Sequence, residues 1–209
     1  RYMLQATVRR DGSSVFGKNK WGTFPSVSLA WNITEEEFMK NQNLFDNLKF
    51  RIGYGVSGNA LGFGAYTAVE TYGASGFFTY NGKQWRTLAA TKNANPDLKW
   101  ETTGMFNVGL DYGLLNGRLS GTIEFYKKKT KDLIVSGIKA STVVGNSFSP
   151  VNAGNITNKG FELELGWQDR IGDFAYGVRA NVATLKNKVT KMHESLSSID
   201  GATYVTYGA

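Results

Sequence analysis

The sequence predicts an all-β chain, an antiparallel meander forming a sector of a large transmembrane β-barrel. Three observations carry that expectation. Apolar residues recur with a period of two rather than 3.6. The connections between the alternating runs are long at one end and mostly short at the other, as in outer-membrane barrels. The face opposite the apolar one is lined by Gly, Ser, Thr, Asn, Glu and Arg, where a narrow filled barrel would need bulky side chains.

Seven alternating runs are legible, with a partial eighth near Tyr204. In the first, Tyr2, Leu4, Ala6 and Val8 oppose Met3, Gln5, Thr7 and Arg9. Val27, Leu29, Trp31 and Ile33 then oppose Ser26, Ser28, Ala30 and Asn32. Leu48 to Val56 alternate with Lys49, Arg51, Gly53, Gly55 and Ser57. Trp100 to Tyr112 and Leu119 to Phe125 make the fourth and fifth runs. Phe161, Leu163, Leu165 and Trp167 alternate with Glu162, Glu164, Gly166 and Gln168, and Phe174 to Val182 complete the set. About seven or eight strands cannot close a wide barrel, so the sector has two edges that need partners.

The connections are Asp11–Lys20, Thr34–Asn47, Asn59–Asn95, Gly113–Gly117, Val135–Asn155 and Asp169–Asp173. Odd and even connections of a meander lie at opposite ends, so one end collects the long ones. Thr34-Glu35-Glu36-Glu37 reads as a capping box with Ile33 and Phe38 at the staple positions, which predicts one or two helical turns over Glu35–Lys40 on the short-loop side. Trp31, Tyr112, Trp167 and Phe174 border the short-loop end, and Trp21 and Trp100 border the long-loop end. Two girdles of membrane-interface aromatics are expected from that sorting.

Composition excludes several function classes. The 209 residues hold no cysteine and one histidine, His193, which removes disulfides, zinc–thiolate sites, thiol catalysis and multi-histidine metal sites. No metal or other cofactor is expected. Aromatics at 13% argue against disorder. The net charge of +7 invites a nucleic-acid reading, but the basic residues are scattered and only Lys127-Lys128-Lys129-Thr130-Lys131 is dense; no nucleic-acid partner is expected. That run falls near the long-loop end of its strand, where it is either a contact for anionic headgroup phosphates or a solvated charge run. The uncharged stretches Ile52–Val69 and Ala140–Asn158 are too rich in Gly, or in Ser, Thr and Asn, for spanning helices. Both ends of the chain are strand-like, as if cut from something longer.

Three local patterns could carry chemistry. Gly53-Tyr54-Gly55-Val56-Ser57-Gly58 matches the dinucleotide GxGxxG string, yet no helix start follows to receive a pyrophosphate, and lumen-facing glycines explain it better. Glu162 and Glu164 lie two apart on one strand face, roughly 7 Å between backbones, a separation that glycosidase carboxylates also use. The segment Asn59–Asn95 is long, poor in charge and rich in rings; Tyr66, Tyr72, Phe77, Tyr80 and Trp85 are candidate contacts for a solute or a lid protein. The same rings could instead pack among themselves. Two other functions stay open on these patterns: a soluble β-sandwich that binds glycans, and a glycan-acting enzyme using Glu162 and Glu164.

Several strings together resemble the SusC/RagA family of TonB-dependent outer-membrane transporters. They are Arg10-Asp11-Gly12-Ser13-Ser14-Val15-Phe16-Gly17, Trp21-Gly22-Thr23-Phe24-Pro25-Ser26-Val27-Ser28-Leu29-Ala30-Trp31, Leu48-Lys49-Phe50-Arg51 and Tyr54-Gly55-Val56-Ser57-Gly58-Asn59. Asn95-Pro96-Asp97-Leu98-Lys99-Trp100-Glu101, Lys129-Thr130-Lys131-Asp132-Leu133 and Asn158-Lys159-Gly160-Phe161-Glu162-Leu163 continue in the family's order. The resemblance implies that residues 1–209 are part of a 22-stranded barrel domain, towards the C-terminal part of a longer protein, without the plug, the TonB box or the closing strand. It implies import of oligosaccharides or peptides across a Bacteroidetes-type outer membrane and no enzymatic step. The implied partners are a SusD-like surface lipoprotein, TonB–ExbB–ExbD acting through N-terminal parts, and outer-membrane lipid or lipopolysaccharide.

Overall fold

A computed structural model describes residues 1–60, 62–136 and 147–192. His193 and the strand expected near Tyr204 lie outside the described residues. Ten strands follow in order: β1 Tyr2–Gly12, β2 Trp21–Asn32, β3 Phe45–Asn59, β4 Thr71–Tyr80, β5 Lys83–Asn93, β6 Glu101–Leu114, β7 Leu119–Val135, β8 Ser147–Phe148, β9 Val151–Ile171 and β10 Phe174–Met192. Seven of them make one sheet in the order β1-β2-β3-β6-β7-β9-β10, every neighbouring pair antiparallel. These are the seven runs that the alternation predicts. The sheet is open, with β1 and β10 as its edges among the described residues.

Register makes one face continuous. Val27 faces Ala6 on one side and Tyr54 on the other, Tyr54 faces Phe106, and Phe106 faces Lys127. One step along, Leu4, Leu29, Ile52, Val108, Phe125 and Phe161 form an unbroken apolar row. A slip of one residue in any pair would turn that strand's apolar set over, so the alternation itself specifies the register. In the described structure nothing packs on this face: Leu4 is 72% exposed and Val8 73%. A sandwich would bury such a face under a second sheet, and none covers it among the described residues.

The hydrophobic core sits elsewhere. Val15, Phe16, Ala68 and Leu98 bury one another where the β1–β2 connection, the β3–β4 connection and the lead into β6 meet at the long-loop end, with Phe63, Trp100 and Ile134 packed around them. Phe16 and Leu98 are fully buried, each stabilising this junction by about 1.5–3 kcal/mol. Phe24 is buried beside it because Gly22 and Gly58 lie against its ring, where any Cβ would collide. Side-chain amides tie the loops together. Asn19 donates to the carbonyls of Asp97 and Leu98 (3.2 and 3.3 Å), and Asn95 donates to that of Pro150 (2.7 Å). Asn152 accepts from the Lys99 amide (3.0 Å) and donates to the carbonyls of Lys99 and Asp132 (2.9 and 2.8 Å).

Three expectations need correction. Asn59–Asn95 is not a plain loop, because it contains the β4–β5 hairpin; β5 in turn pairs in parallel with β8. The fifth and sixth connections keep their places but lose residues to β9, which starts at Val151 rather than after Asn155 and runs on to Ile171 before β10 begins at Phe174. Beyond the apolar belt these strands read as Lys, Thr, Asn and Gly, so alternation fades while backbone pairing continues. At Glu35–Lys40 there are two separate 3-10 turns, Ile33–Glu35 and Glu37–Met39, without capping box or staple. The Thr34 hydroxyl donates to Asn32 (2.7 Å), and Phe38 is exposed. The physical reason is Glu36, which adopts extended backbone and buries its carboxylate under Tyr2 Oη (2.7 Å), Trp31 Nε1 (3.0 Å) and Arg1 Nη1 (3.2 Å).

Candidate functional site

The polar face is built from residues that alternate with the apolar belt. At its centre the Arg51 fork donates to both Asp111 oxygens at 2.8 Å, reaches Glu124 at 3.5 Å, and is backed by Thr122, which donates to Asp111 (3.1 Å). Planar two-point pairing of this kind orients both groups. Glu124 lies directly opposite Glu162, and Thr122 opposite Glu164, in the β7–β9 register. Thr122, Glu124, Glu162, Glu164 and Asn181 line a shallow hollow of about 230 Å³. Glu162 and Glu164 are exposed on this wall, so neither is desolvated in the way a catalytic acid requires. Gly53 and Gly55 of the GxGxxG string lie inside β3, facing Ser28 with Asn107 and Ser26 respectively, with no helix after them.

Arg51 and Asp111 were not singled out as a pair by sequence reasoning. They are 60 positions apart, and only the β3–β6 register brings them together. The available signal was weak: each is a charged residue at a polar-face position of a strongly alternating run.

The second candidate surface is the β4–β5 hairpin, closed by Asn81 (φ 52°) and Gly82 (φ 71°). Two successive positive φ values suit the tight hairpin turn that Asn-Gly favours. That dipeptide between Phe77-Phe78-Thr79-Tyr80 and Lys83-Gln84-Trp85 was the missed signal for a hairpin inside the long segment. Pairing distributes the five candidates over different surfaces. Tyr80 and Trp85 share one face with Phe78, through the pairs Phe78–Trp85 and Tyr80–Lys83. Phe77, opposite Arg86, and Tyr72, opposite Ala90, lie on the other face. Tyr66 precedes the hairpin and is 74% exposed, and Tyr72 is exposed as well. The rings therefore form two exposed patches rather than one.

The aromatics expected at the membrane interfaces are also placed. Trp31 stacks on Tyr2 at 6.3 Å, Tyr112 lies across Gly121, and Phe174 stacks on Tyr176 at 6.2 Å. Trp167 faces Leu119 and Val178 on the apolar face. Trp21 covers Gly12 and receives the Arg10 guanidinium 5.2 Å from its centroid. Trp100 differs. Its ring packs on Phe16 (4.9 Å) and edge-on to Phe24 (5.4 Å), with Nε1 donating to the Lys20 carbonyl (3.1 Å), which makes it part of the loop junction.

Residues 1–207 match the family model described as TonB dependent receptor-like, beta-barrel. The chain belongs to this TonB-dependent receptor family. It is 36% identical over 199 residues to the TonB-dependent receptor SusC of Bacteroides thetaiotaomicron, covering 92% of this chain and 20% of the relative. It is 35% identical to TonB-dependent receptor P26 of Formosa agariphila, covering 90% of this chain and 19% of that protein. The chain thus spans about a fifth of the length of these relatives. Among solved structures it superposes on the RagAB peptide transporter (TM-score 0.80, 28% identity, 91% of this chain and 21% of that one). The siderophore receptor PirA of Pseudomonas aeruginosa shares the fold alone (TM-score 0.51, 16% identity, 90% of this chain and 34% of that one). SusC- and RagA-like TonB-dependent receptors are outer-membrane β-barrels, so the apolar face meets lipid and the polar face the lumen.

Proposed function

We propose that this chain supplies barrel wall and external loops to an importer that moves oligosaccharides or peptides across the outer membrane. It works with a SusD-like surface lipoprotein and draws energy from TonB–ExbB–ExbD. The observation that carries the reading is a single sheet with one uncovered apolar face and one mixed-charge polar face, topped at its long-loop end by an exposed aromatic hairpin. Relatives of the SusC and RagA kind support the transport class. The chain performs no covalent chemistry; Glu162 and Glu164 act as hydrated lumen lining beside the Arg51–Asp111 pair.

On this reading Tyr72 and Phe77 on one face of the hairpin and Tyr80 and Trp85 on the other divide solute contact from lid contact, with Tyr66 a further contact ahead of the hairpin. Trp31, Tyr112, Trp167 and Phe174 form the girdle at the short-turn boundary, with Trp21 at the opposite one. The test is uptake of labelled oligosaccharide and peptide pools by cells lacking the full-length protein, complemented with wild type or with Tyr80→Ala/Trp85→Ala. Loss of uptake on deletion, loss with an uncoupler, and weakened uptake or lipoprotein co-purification in the double variant are expected. Uptake that survives both deletion and uncoupling would overturn the proposal.

A further inference from the structure

We infer that the tip of the β4–β5 hairpin is a stacking platform for acidic oligosaccharides, those bearing carboxylate or sulfate groups, built from Phe78, Tyr80, Lys83 and Trp85; this deepens the transport reading above and rests on it. The pairs Phe78–Trp85 and Tyr80–Lys83 are neighbours on one face of the hairpin, so three rings and one ammonium group stand at the corners of a single block. Its sides are about 4.8 Å across the strands and about 6.8 Å along them. All three rings are exposed. Among the described residues they stack neither on one another nor on any other ring.

The polar atoms of the block say what the ligand must carry. Among the described residues no hydrogen bond or ion pair engages the Trp85 indole N–H, the Lys83 ammonium or the Tyr80 hydroxyl. An indole N–H and an ammonium group donate only. Residues 71–93, the whole hairpin, contain no Asp or Glu. A neutral sugar recognised through its hydroxyls needs acceptors as well as donors, and the block offers one, Tyr80 Oη. An ionised carboxylate accepts only, as does a sulfate, which fits Lys83 and the indole N–H. The electron-rich ring faces of Trp85 and Tyr80 suit the apolar C–H face of the same sugar. An acidic peptide would instead bring backbone N–H donors that this block does not match.

The hairpin is also held ready for a ligand. At its base the Thr71 and Thr91 hydroxyls share a hydrogen bond (3.0 Å), and Lys92 Nζ donates to the carbonyls of Tyr66 and Thr67 (2.6 and 3.2 Å). Lys92 is thus spent on the fold, whereas Lys83 is left for a partner. Inward from the rings the same face continues over Gly76 opposite Thr87 and Gly73 opposite Ala89, a low shelf on which more than one sugar can lie. The other face is more apolar: Phe77 opposite Arg86, then Leu88 opposite Ala74, with Leu88 exposed where the first face has small residues. Of the two faces, the one with Tyr80 and Trp85 takes the solute and the one with Tyr72 and Phe77 is left for the lid protein.

The experiment is isothermal titration of the full-length receptor in detergent with oligogalacturonate, oligoalginate and a sulfated galactan oligosaccharide, each beside its methyl-esterified or desulfated counterpart. At least one acidic probe should bind about tenfold more tightly than its neutral counterpart and weaken as salt is added. The uronate and sulfate arms show which acid is taken. Lys83→Gln should weaken the acidic probe about tenfold and leave the neutral one unchanged, whereas Trp85→Ala should weaken both. Arg86→Gln, the same charge loss on the opposite face, should bind as wild type does. Heat-modifiable migration reports folding of every variant. Failure of every acidic probe to bind, equal affinity for the neutral counterparts, or equal affinity of Lys83→Gln and wild type would overturn the inference. So would a polyglutamate peptide that binds as tightly as the best sugar, or a Trp85→Ala receptor that loses the SusD-like lipoprotein and keeps the sugar. Uptake that survives both deletion and uncoupling would instead remove the transport reading beneath it.

Discussion

The loop junction and the barrel wall are held by different physics. At the junction, Phe16 and Leu98 are removed from solvent by side chains from three connections, and amide side chains stitch loop to loop. On the wall, Leu4, Val8, Ile123 and Phe125 remain exposed, and cohesion comes from the antiparallel ladders and the surrounding lipid. The junction is a small soluble protein's core set on the end of a membrane protein. A strand in hydrocarbon has to satisfy every backbone donor and acceptor through its neighbours, which is why ladders run unbroken through the belt.

Substitutions can break that contrast. The largest effect is expected from Leu98→Ala, which leaves a cavity among Val15, Phe16 and Ala68 and costs about 2–5 kcal/mol. Limited proteolysis should show the β1–β2 and β4–β5 segments released while heat-modifiable migration of the barrel persists. Loss of the barrel along with the loops would mean that the two regions fold as one. Next comes Ile123→Arg, midway along the lipid belt between Leu119 and Lys127, costing about 2–4 kcal/mol. Thr122→Arg, its neighbour on the lumen face, should be tolerated. Similar folding yields in outer-membrane vesicles for both variants would contradict the assignment of faces.

The smallest effect concerns the short-turn end. The Tyr2 hydroxyl and the Trp31 indole donate to Glu36, and with Arg1 nearby they hold its carboxyl below the ordinary carboxylate range. A depressed pKa means that the native state binds this proton less readily than the unfolded one. Its stabilising contribution is therefore complete above the ordinary carboxylate pKa and disappears as pH falls through the lowered value. Glu36→Gln should flatten that part of the acid-unfolding profile and leave the neutral-to-basic part parallel to wild type.

Much of the wall was legible because hydrocarbon imposes a strict alternation: Ile123, Phe125, Leu163 and Leu165 could stand only on one face once the period was read. What escaped had two causes. Outside the belt the alternation relaxes, so the start of β9 reads as polar loop, although Gly154 lies opposite Leu133 and Val151 opposite Val135. Long-range register also pairs residues that no local pattern joins, as with Arg51 and Asp111, or Lys127 and Lys159. The hairpin at Asn81-Gly82 stood in the sequence as a turn dipeptide between aromatic runs. Glu36 misled because its position in a capping-box string outweighed the buried pocket that only the fold creates.

The central claim is that the two faces of one sheet meet lipid and water respectively. Cysteine scanning along β7 tests it most directly, and residues 1–209 contribute no thiol of their own. Cysteine is placed singly at 122, 123, 124 and 125 in the full-length receptor and exposed in intact outer membranes to a small water-soluble maleimide, with the parent protein as background. Labelling at 122 and 124 with protection at 123 and 125 is the predicted result. Labelling at 123 and 125, or equal labelling at all four positions, would contradict it.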